Sequence, residues 1–563
     1  MLLHGFGAIT RTYRHVQRYR EIATVLLKHG FGDLVATLEL HRLLRLRRWR
    51  KHVSTNLPSH PTRDERIRMV FEELGPTFVK LGQILSIRQD VLPDSLVAEL
   101  RKLQDTVPPF PGVQARGIIE RELGQKVETL FGHFDEVPRA SGSMAQVHEA
   151  ITLAGDHVVV KVQRPGIQDV IETDLEIMSH LAGLIEKYVE GAKIFGPLNL
   201  VREFSKIIRR ELDFTAEANH MERMTRNFSG NSGICIARVF RELTSRQTLT
   251  MEYVSGIKIS HLAELDEHGL NRETVAVAAI ELMCDQIFTH GFYHADPHPG
   301  NILVQPGNVL CFLDFGMVGV LPVRYREQLS NLILGLVRRD ESQITAAVFH
   351  LSGYSRYENR ERIEADIANF IEDHLYRPLQ DIRMGCVLNE LTRILVINDI
   401  RMPPDFFILT KALTTIEGVS RMLAPDLDII HVLEPFAMKL LRHRLSVKTI
   451  TGQLVAGIGE VQSFLRDLPS DMHEIITMFK RGEVKVKFQP SGLEDFIRTQ
   501  DQISNRTVFA IVLAALIIGS SLIVLSGIPP KWHEIPIIGV VGFMISGLMG
   551  FALLYSIIKH GRM

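Results

Sequence analysis

The chain has 563 residues, 45% of them hydrophobic and 23% charged, with 64 Lys and Arg against 65 Asp and Glu for a net charge of −1. That length and apolar fraction suit two or three domains with a sizeable core plus membrane segments. Four cysteines, Cys235, Cys284, Cys311 and Cys386, have no Cys-x-x-Cys spacing, which argues against a disulfide framework or a structural zinc site and for a reducing compartment.

The first residues are Arg-rich (Arg11, Arg14, Arg18, Arg20) without an apolar signal-peptide core. Because Glu21 and a helical pattern follow directly, a mitochondrial presequence is the weaker reading. His41 to His52 is a dense basic run interleaved with Leu43, Leu44, Leu46 and Trp49. It fits an anionic bilayer surface and a solvated helix face equally. Nucleic acid is set aside, since aromatics are sparse there and no binding module surrounds the run.

Asp135 to Ala150 runs into a strand, a turn at Ala154-Gly-Asp156 and a second strand, His157 to Gln163. This pattern predicts the phosphate-covering hairpin of a kinase small lobe, with Lys161 where a kinase contacts the α/β-phosphates. A strand lysine by itself is an ordinary solvent-facing residue, so the assignment depends on motifs further on. The loop carries Ala140-Ser-Gly-Ser143 in place of a Gly-rich sequence, so only Gly142 lets backbone approach phosphate without a Cβ.

Ile207 to Ala218 reads as one helical stretch bearing Glu211, Asp213 and Glu217. Glu217 is the expected partner of Lys161, and its six-residue offset places Glu211 on a different face. Two further strands, Ile234 to Val239 and Thr248 to Met251, lead to Glu252-Tyr253-Val254-Ser-Gly256, a hinge expected to cradle adenine. Asn271 then caps a long amphipathic helix that runs to His290.

The segment His294-Ala-Asp-Pro-His-Pro-Gly-Asn301, followed by Asp314-Phe-Gly316, carries the chemistry. Asp296 precedes Asn301 by five residues, the spacing of a kinase catalytic loop in which the Asp takes the acceptor's proton and the Asn holds Mg²⁺. Asp314 is the second metal ligand. The strands Ile302–Val304 and Leu310–Leu313, joined at Pro306-Gly307-Asn308, would aim Asn301 and Asp314 at one point. Zinc binding by His294 and His298 is the weaker competitor, because no third ligand sits at zinc-site spacing.

After Asp314 no Ala-Pro-Glu motif closes an activation segment, which argues against a peptide-docking groove. From about Val323 to Arg481 the pattern is helical, and Glu483 to Phe488 alternates as a basic strand. Thr507 to Pro530 and Ile537 to Ile558 are uncharged apolar stretches, each long enough to cross ~30 Å of hydrocarbon. Arg498, Arg506, Lys559 and Arg562 flank this hairpin, whereas its turn sets Lys531 against Glu534, so the positive-inside bias puts both ends in the cytoplasm. Gly542, Gly547 and Gly550 give the second helix small faces that could pack on the first helix or on another copy.

Taken together, these residues resemble the UbiB (ADCK-like) family of atypical kinase-like proteins through most of the body, and bacterial members more than organellar ones. The resemblance is carried by Lys80-Leu-Gly-Gln83, by Glu211-Leu-Asp213 and by Ala140-Ser-Gly-Ser143 in place of the family's Ala-rich loop. It implies that Lys80 and Gln83 project into the cleft, meet Glu211 and Asp213 and occlude the place where a protein kinase docks peptide. It further implies a role in ubiquinone biosynthesis at the membrane that holds polyprenylated intermediates.

The expected fold is α+β: a two-lobed protein-kinase-like body with a helical extension (1–110), an N-lobe (111–256) and a C-lobe (257–490), then a transmembrane hairpin (491–563). The expected cofactors are ATP or ADP and Mg²⁺. The expected partners are membrane lipids, polyprenylated quinone precursors, ubiquinone-biosynthesis proteins and a second copy through the membrane helices. The bacterial inner membrane, with the body in the cytoplasm, is the expected location, and the mitochondrial inner membrane the weaker one. An ATPase or a small-molecule or lipid kinase is the leading function. A silent nucleotide-binding scaffold that presents lipids is the alternative. An aminoglycoside-type phosphotransferase has no use for Lys80-x-Gly-Gln83 or a membrane hairpin, and direct ring hydroxylation lacks both a dinucleotide fingerprint and an iron triad.

Overall fold

A computed structural model describes residues 2–37, 61–86, 88, 92–103, 107–189, 196–352, 360–375, 383–398, 400, 402–444, 493–532 and 535–560. The basic run 41–52, the alternating stretch 483–488, Glu534 and Arg562 lie outside them. Two compact units are present, residues 1–452 and 453–563.

In the first unit, Phe131–Phe134, Ala145–Thr152, His157–Gln163 and Thr248–Glu252 form an antiparallel sheet, with Ala140–Ser141 added beside Gln146 and Val147. Strand alternation divides the His157–Gln163 side chains between two faces. Val158, Val160 and Val162 are fully buried with Ile118 and Ile119 of the Gly112–Leu123 helix. Val159 faces the other way, into a core shared with Phe214, Ala218 and Met221 of the Phe214–Asn227 helix. Lys161, two residues on, lies on that second face, which is why it meets a side chain of that helix.

The stretch 207–218 is not one helix. The helix Pro197–Glu211 ends at Leu212, and Asp213 starts Phe214–Asn227 by accepting from the Thr215 amide at 3.0 Å. Asp213 is an N-cap, so its carboxylate serves an otherwise unpaired helix amide. A helix absent from the sequence reading, Ile167–Tyr188, packs with Pro197–Glu211 and the Pro76–Leu85 helix around Leu74, Phe78, Ile171, Leu175, Phe204 and Ile208. Arg18, from the Arg-rich start, donates to both oxygens of the fully buried Asp174 at 2.7 and 3.0 Å. That guanidinium compensates a charge that could not otherwise be buried.

The large lobe is built around Arg272–Cys284, which Asn271 caps by accepting from the Thr274 amide at 2.9 Å. This helix is not amphipathic as expected. Val275, Ala276, Ala279, Ile280, Leu282, Met283 and Cys284 are all buried, because helices enclose it on several sides. It widens into π-type turns over Asp285–His290 before Gly291, whose φ of 58° ends it. Ile234–Ile236 leaves the small-lobe sheet and pairs in parallel with Val309–Phe312, in a second sheet with Ile302–Gln305 and Ile257–Lys258. That pairing sets Cys235 opposite Cys311, and all four cysteines are free. The helices Val323–Arg338, Glu341–Ser352, Arg360–Leu375, Met384–Ile397, Pro404–Leu423 and Ile429–Arg444 complete the unit.

In the second unit, Leu493–Ser526 and Ile537–His560 form an antiparallel pair, with Gly539 and Gly542 against Val524 and Ser520 and Gly550 near Leu513. Thr507–Ser526 is long and apolar enough to cross a membrane, while Ile537–Phe551 is a shorter apolar segment among the described residues. Leu522, Leu525, Met544, Leu548 and Phe551 are all more than 60% exposed, so the pair presents an apolar exterior.

Candidate active site

Three segments supply the site: the strand His157–Gln163, the helix Phe214–Asn227, and the loop and hairpin from His294 to Gly316. Lys161 Nζ donates to both Glu217 oxygens at 2.9 Å and lies 3.5 Å from Asp314 Oδ2. The Asp314 carboxylate accepts from the Gly316 amide at 2.8 Å, and Phe315 is fully buried behind it. His220, on the Glu217 helix, bonds to the Phe315 carbonyl at 3.0 Å, so helix and Asp-Phe-Gly segment are held together.

One ammonium is thus shared by two carboxylates. Burial opposes the charge on Lys161, but Asp314, Glu217 and Glu211 outweigh it and keep the amine protonated well above its usual range. Burial pushes Glu217 up to about 7 against the pull of Lys161, and the negative charge of Asp314 adds to the rise. Asp314 has 46% of its side-chain surface open, yet dense surroundings still oppose its ionisation. Lys161, the Gly316 amide, His294 and Lys80 reverse that balance and hold Asp314 well below the ordinary carboxylate range. When the cluster takes a proton, Glu217 is therefore the first of these two carboxylates to receive it.

The hairpin forms at the expected place. Gly307 and Asn308 both have positive φ, 83° and 61°, the local twist a tight strand reversal requires. Leu313 N–H bonds to the Asn301 carbonyl at 3.0 Å, tying the end of the His294–Asn301 loop to the residue before Asp314. Asp296 faces a residue that carries no local signature in the chain: Lys411 Nζ is 3.1 Å from its Oδ1. His294 and His298 each spend Nδ1 on a local amide, of Asp296 and of Gly300. Among the described residues, no group of three His, Cys, Asp or Glu side chains could hold a metal by itself. Asn301 and Asp314 are two oxygen donors, a set that suits a hard cation whose remaining ligands are phosphates and water.

Ala140–Ser143 is held shut from behind. Arg164 donates to the Gly142 carbonyl at 2.8 Å, to Ser141 Oγ at 2.8 Å and to the Pro108 carbonyl at 2.9 Å. Ser143 is buried, and the Gly142 amide is committed to the Ala145 carbonyl at 2.8 Å. A Cβ at Gly142 would meet only that carbonyl, at 3.6 Å, so the turn itself has room for alanine. At the hinge, Glu252 accepts from the Arg238 amide, and the Tyr253 ring stacks on His157 at 4.2 Å. Both side chains are thus engaged locally, and Val254 packs against the large-lobe core.

The expected occluding set divides. Lys80 Nζ lies 2.7 Å from Glu211 Oε1, and both side chains are nearly buried. Gln83 does not join them; its amide nitrogen is 3.4 Å from the Leu103 carbonyl within the extension. Asp213 is turned to its own helix and to Arg246 at 3.5 Å, because capping claims it first.

Comparison with known proteins bears on this arrangement. Family models match in three places: an ABC1 atypical kinase-like domain over 102–348, a UbiB helical domain over 367–428 and an ABC1/UbiB kinase-like C-terminal domain over 491–559. A probable protein kinase UbiB of Marinobacter nauticus is 35% identical over 94% of this chain and 99% of its own length. The chain belongs to the ABC1/UbiB family of atypical kinase-like proteins. A second UbiB-family relative, the probable protein kinase UbiB of Pseudomonas fluorescens, is 35% identical over 78% of this chain and 83% of its own. A Clostridium pasteurianum protein known from a hydrogenase 1 5′ region is 33% identical over 97% of this chain and all of its own. Within this UbiB-family chain, Lys411 falls inside the segment matched as the helical domain, outside the ABC1 segment that holds Asp296.

Proposed function

We propose that this UbiB-family chain is a membrane-anchored, Mg-ATP-dependent ATPase or small-molecule or lipid kinase that supports ubiquinone biosynthesis. The observation that carries the reading is the Lys161, Glu217 and Asp314 cluster, closed at 2.9 and 3.5 Å on the side of the cleft where the nucleotide phosphates would lie.

Lys161 would contact the α/β-phosphates, with Glu217 holding it in place. Asn301 and Asp314 would hold Mg²⁺, which when bound supplies charge neutralisation for the β- and γ-phosphates. Ala140, Ser141, Gly142 and Ser143 would cover the phosphates, and the Glu252-Tyr253-Val254 backbone would meet adenine. Asp296 would orient the acceptor hydroxyl or a water and receive its proton. Lys80 and Glu211 would narrow the cleft against large acceptors, which favours a small or lipidic one. The apolar exterior of the 493–560 helix pair would anchor the protein beside polyprenylated precursors.

The test is phosphate release from Mg-ATP by detergent-solubilised protein, with and without phospholipid and a phenolic ubiquinone precursor. Turnover that Asp296→Asn lowers by orders of magnitude is expected. Equal rates in the two proteins would instead favour the scaffold reading, for which the Lys80–Glu211 closure at 2.7 Å is the supporting observation.

A further inference from the structure

The ion pair between Lys411 and Asp296 joins the base position to a helix outside the kinase-like segment. Lys411 is on Pro404–Leu423, and that helix is fixed at several points. Glu417, buried one to two turns on, accepts from the Met384 and Gly385 amides at 3.0 and 2.8 Å, capping the Met384–Ile397 helix. Ser420 Oγ lies 3.3 Å from the Ala276 carbonyl of the central helix. One turn before Lys411, the Phe407 ring receives the Arg88 guanidinium at 5.2 Å. The Lys411 backbone is therefore placed by contacts along its helix, and its ammonium reaches Asp296.

As a stabilising contact this pair is weak. The side chains are 23% and 36% exposed, a setting in which water screens an ion pair and leaves it little net stabilisation. Its position suggests a different use. Lys161 and Lys80 are committed to Glu217 and Glu211, at 2.9 and 2.7 Å. Lys411 instead sits on the carboxylate that would meet the acceptor. His294, two residues before Asp296, is buried and accepts at Nδ1 from the Asp296 amide at 3.1 Å, so the loop that carries the carboxylate is itself fixed.

We propose that Lys411 is a positioning residue for phosphoryl transfer, supplied by the helical domain, that holds the Asp296 carboxylate in the orientation from which it receives the acceptor's proton. The inference rests on the phosphoryl-transfer reading above. In that step the acceptor oxygen forms a bond to the γ-phosphorus, and the bond to the β,γ-bridging oxygen breaks. The bridging oxygen keeps the electron pair and leaves with ADP, and the acceptor's proton passes to Asp296. Lys411 neutralises Asp296 before the step.

The experiment uses the full chain in phospholipid nanodiscs with Mg-ATP, reading phosphate release, ADP affinity and melting temperature. Wild type is compared with Lys411→Met, Lys411→Arg, Asp296→Asn and the Lys411→Met/Asp296→Asn pair. Lys411→Met is expected to lower kcat ~10²-fold while KM and ADP affinity move less than ~3-fold, as for loss of one preorganised electrostatic group. Lys411→Arg should recover at least about a tenth of the wild-type rate, and Lys411→Met should cost nothing further once Asp296 is Asn. A kcat for Lys411→Met within about twofold of wild type, or an equal loss in both backgrounds, overturns the assignment. Should Lys411→Met not fold, the Lys411→Arg rate decides: a loss as large as that of Asp296→Asn overturns it. Equal phosphate release by wild type and Asp296→Asn is a separate outcome, which removes the phosphoryl-transfer reading and this inference with it.

Discussion

Lys80 Nζ and Glu211 Oε1 are 2.7 Å apart, and they join the Pro76–Leu85 helix of the extension to the helix that precedes the Glu217 helix. The two side chains are 15% and 17% exposed, so removing Lys80 leaves a poorly solvated carboxylate near Lys161, on which Glu211 already acts. Lys80→Ala is expected to lower stability by ~1–2 kcal/mol. It is also expected to change nucleotide affinity several-fold, because Lys80 contributes to holding Asp314 ionised. Thermal melting and nucleotide titration check both. Unchanged affinity would sink the idea that this pair governs the cleft.

Protonation of Glu217 gives a pH dependence with a defined sign. Its pKa is about 7 in the folded protein against an ordinary 4.5, so between those values the folded chain binds a proton that the unfolded chain releases. The stabilisation is complete below about 4.5 and disappears as pH rises through about 7. Asp314 is shifted the other way, and its contribution disappears only as pH falls below its ordinary 3.8. Relative to Glu217→Gln, wild type should therefore lose stability by about 1–3 kcal/mol between pH 5 and 8. Glu217 is not among the groups acting on His148, His220, His290 and His294, all lowered by burial, so comparison with Glu217→Gln cancels their contribution. Melting curves across that range, flat in their difference, would contradict it.

How far the site could be read in advance follows from sequence distance. The hairpin between Asn301 and Asp314 was legible because the Gly307-Asn308 reversal is specified locally. Lys161 could be placed by strand alternation, and Glu217 by its helical context. Lys411 carries no local mark, since it is an ordinary lysine in a long helical tract whose docking against the central helix is decided by burial elsewhere. The same holds for Arg164 behind Ala140–Ser143 and Arg18 on Asp174. The break between Glu211 and Glu217 did have a signal, because Asp213 is a good N-cap ahead of an apolar residue. Gln83 shares a helix face with Lys80 by spacing, but its shorter side chain reaches the Leu103 carbonyl within the extension.

Gly142 separates folding from nucleotide binding. A methyl group there would stand in ordinary contact with the Ala145 carbonyl at 3.6 Å, so Gly142→Ala should shift the melting temperature by less than about 2 °C. The same methyl would keep phosphate away from backbone on the open side of the loop, and a several-fold weaker triphosphate affinity is expected. Equilibrium binding of ATP and ADP to the two proteins tests this. Equal affinities would show that phosphate does not pack over residue 142.

The small residues of the Ile537–His560 helix distinguish packing within one hairpin from packing between copies. A Cβ on Gly542 would come within 2.1 Å of Ser520 Oγ, and one on Gly539 within 2.5 Å of Val524, whereas Gly547 has nothing within 4 Å. Gly542→Val must therefore force the two helices apart, where close approach of small residues is what holds such pairs together in lipid. A loss of about 1–3 kcal/mol is expected, seen as a lower melting temperature in micelles. Gly547→Val should leave the hairpin intact, and its effect on oligomeric state tests the other surface. If Gly547→Val converts a cross-linkable dimer to monomer, the open glycine serves a second copy. If size and cross-linking are unchanged, the small-residue face is used up between Ser520 and Gly542 of one chain.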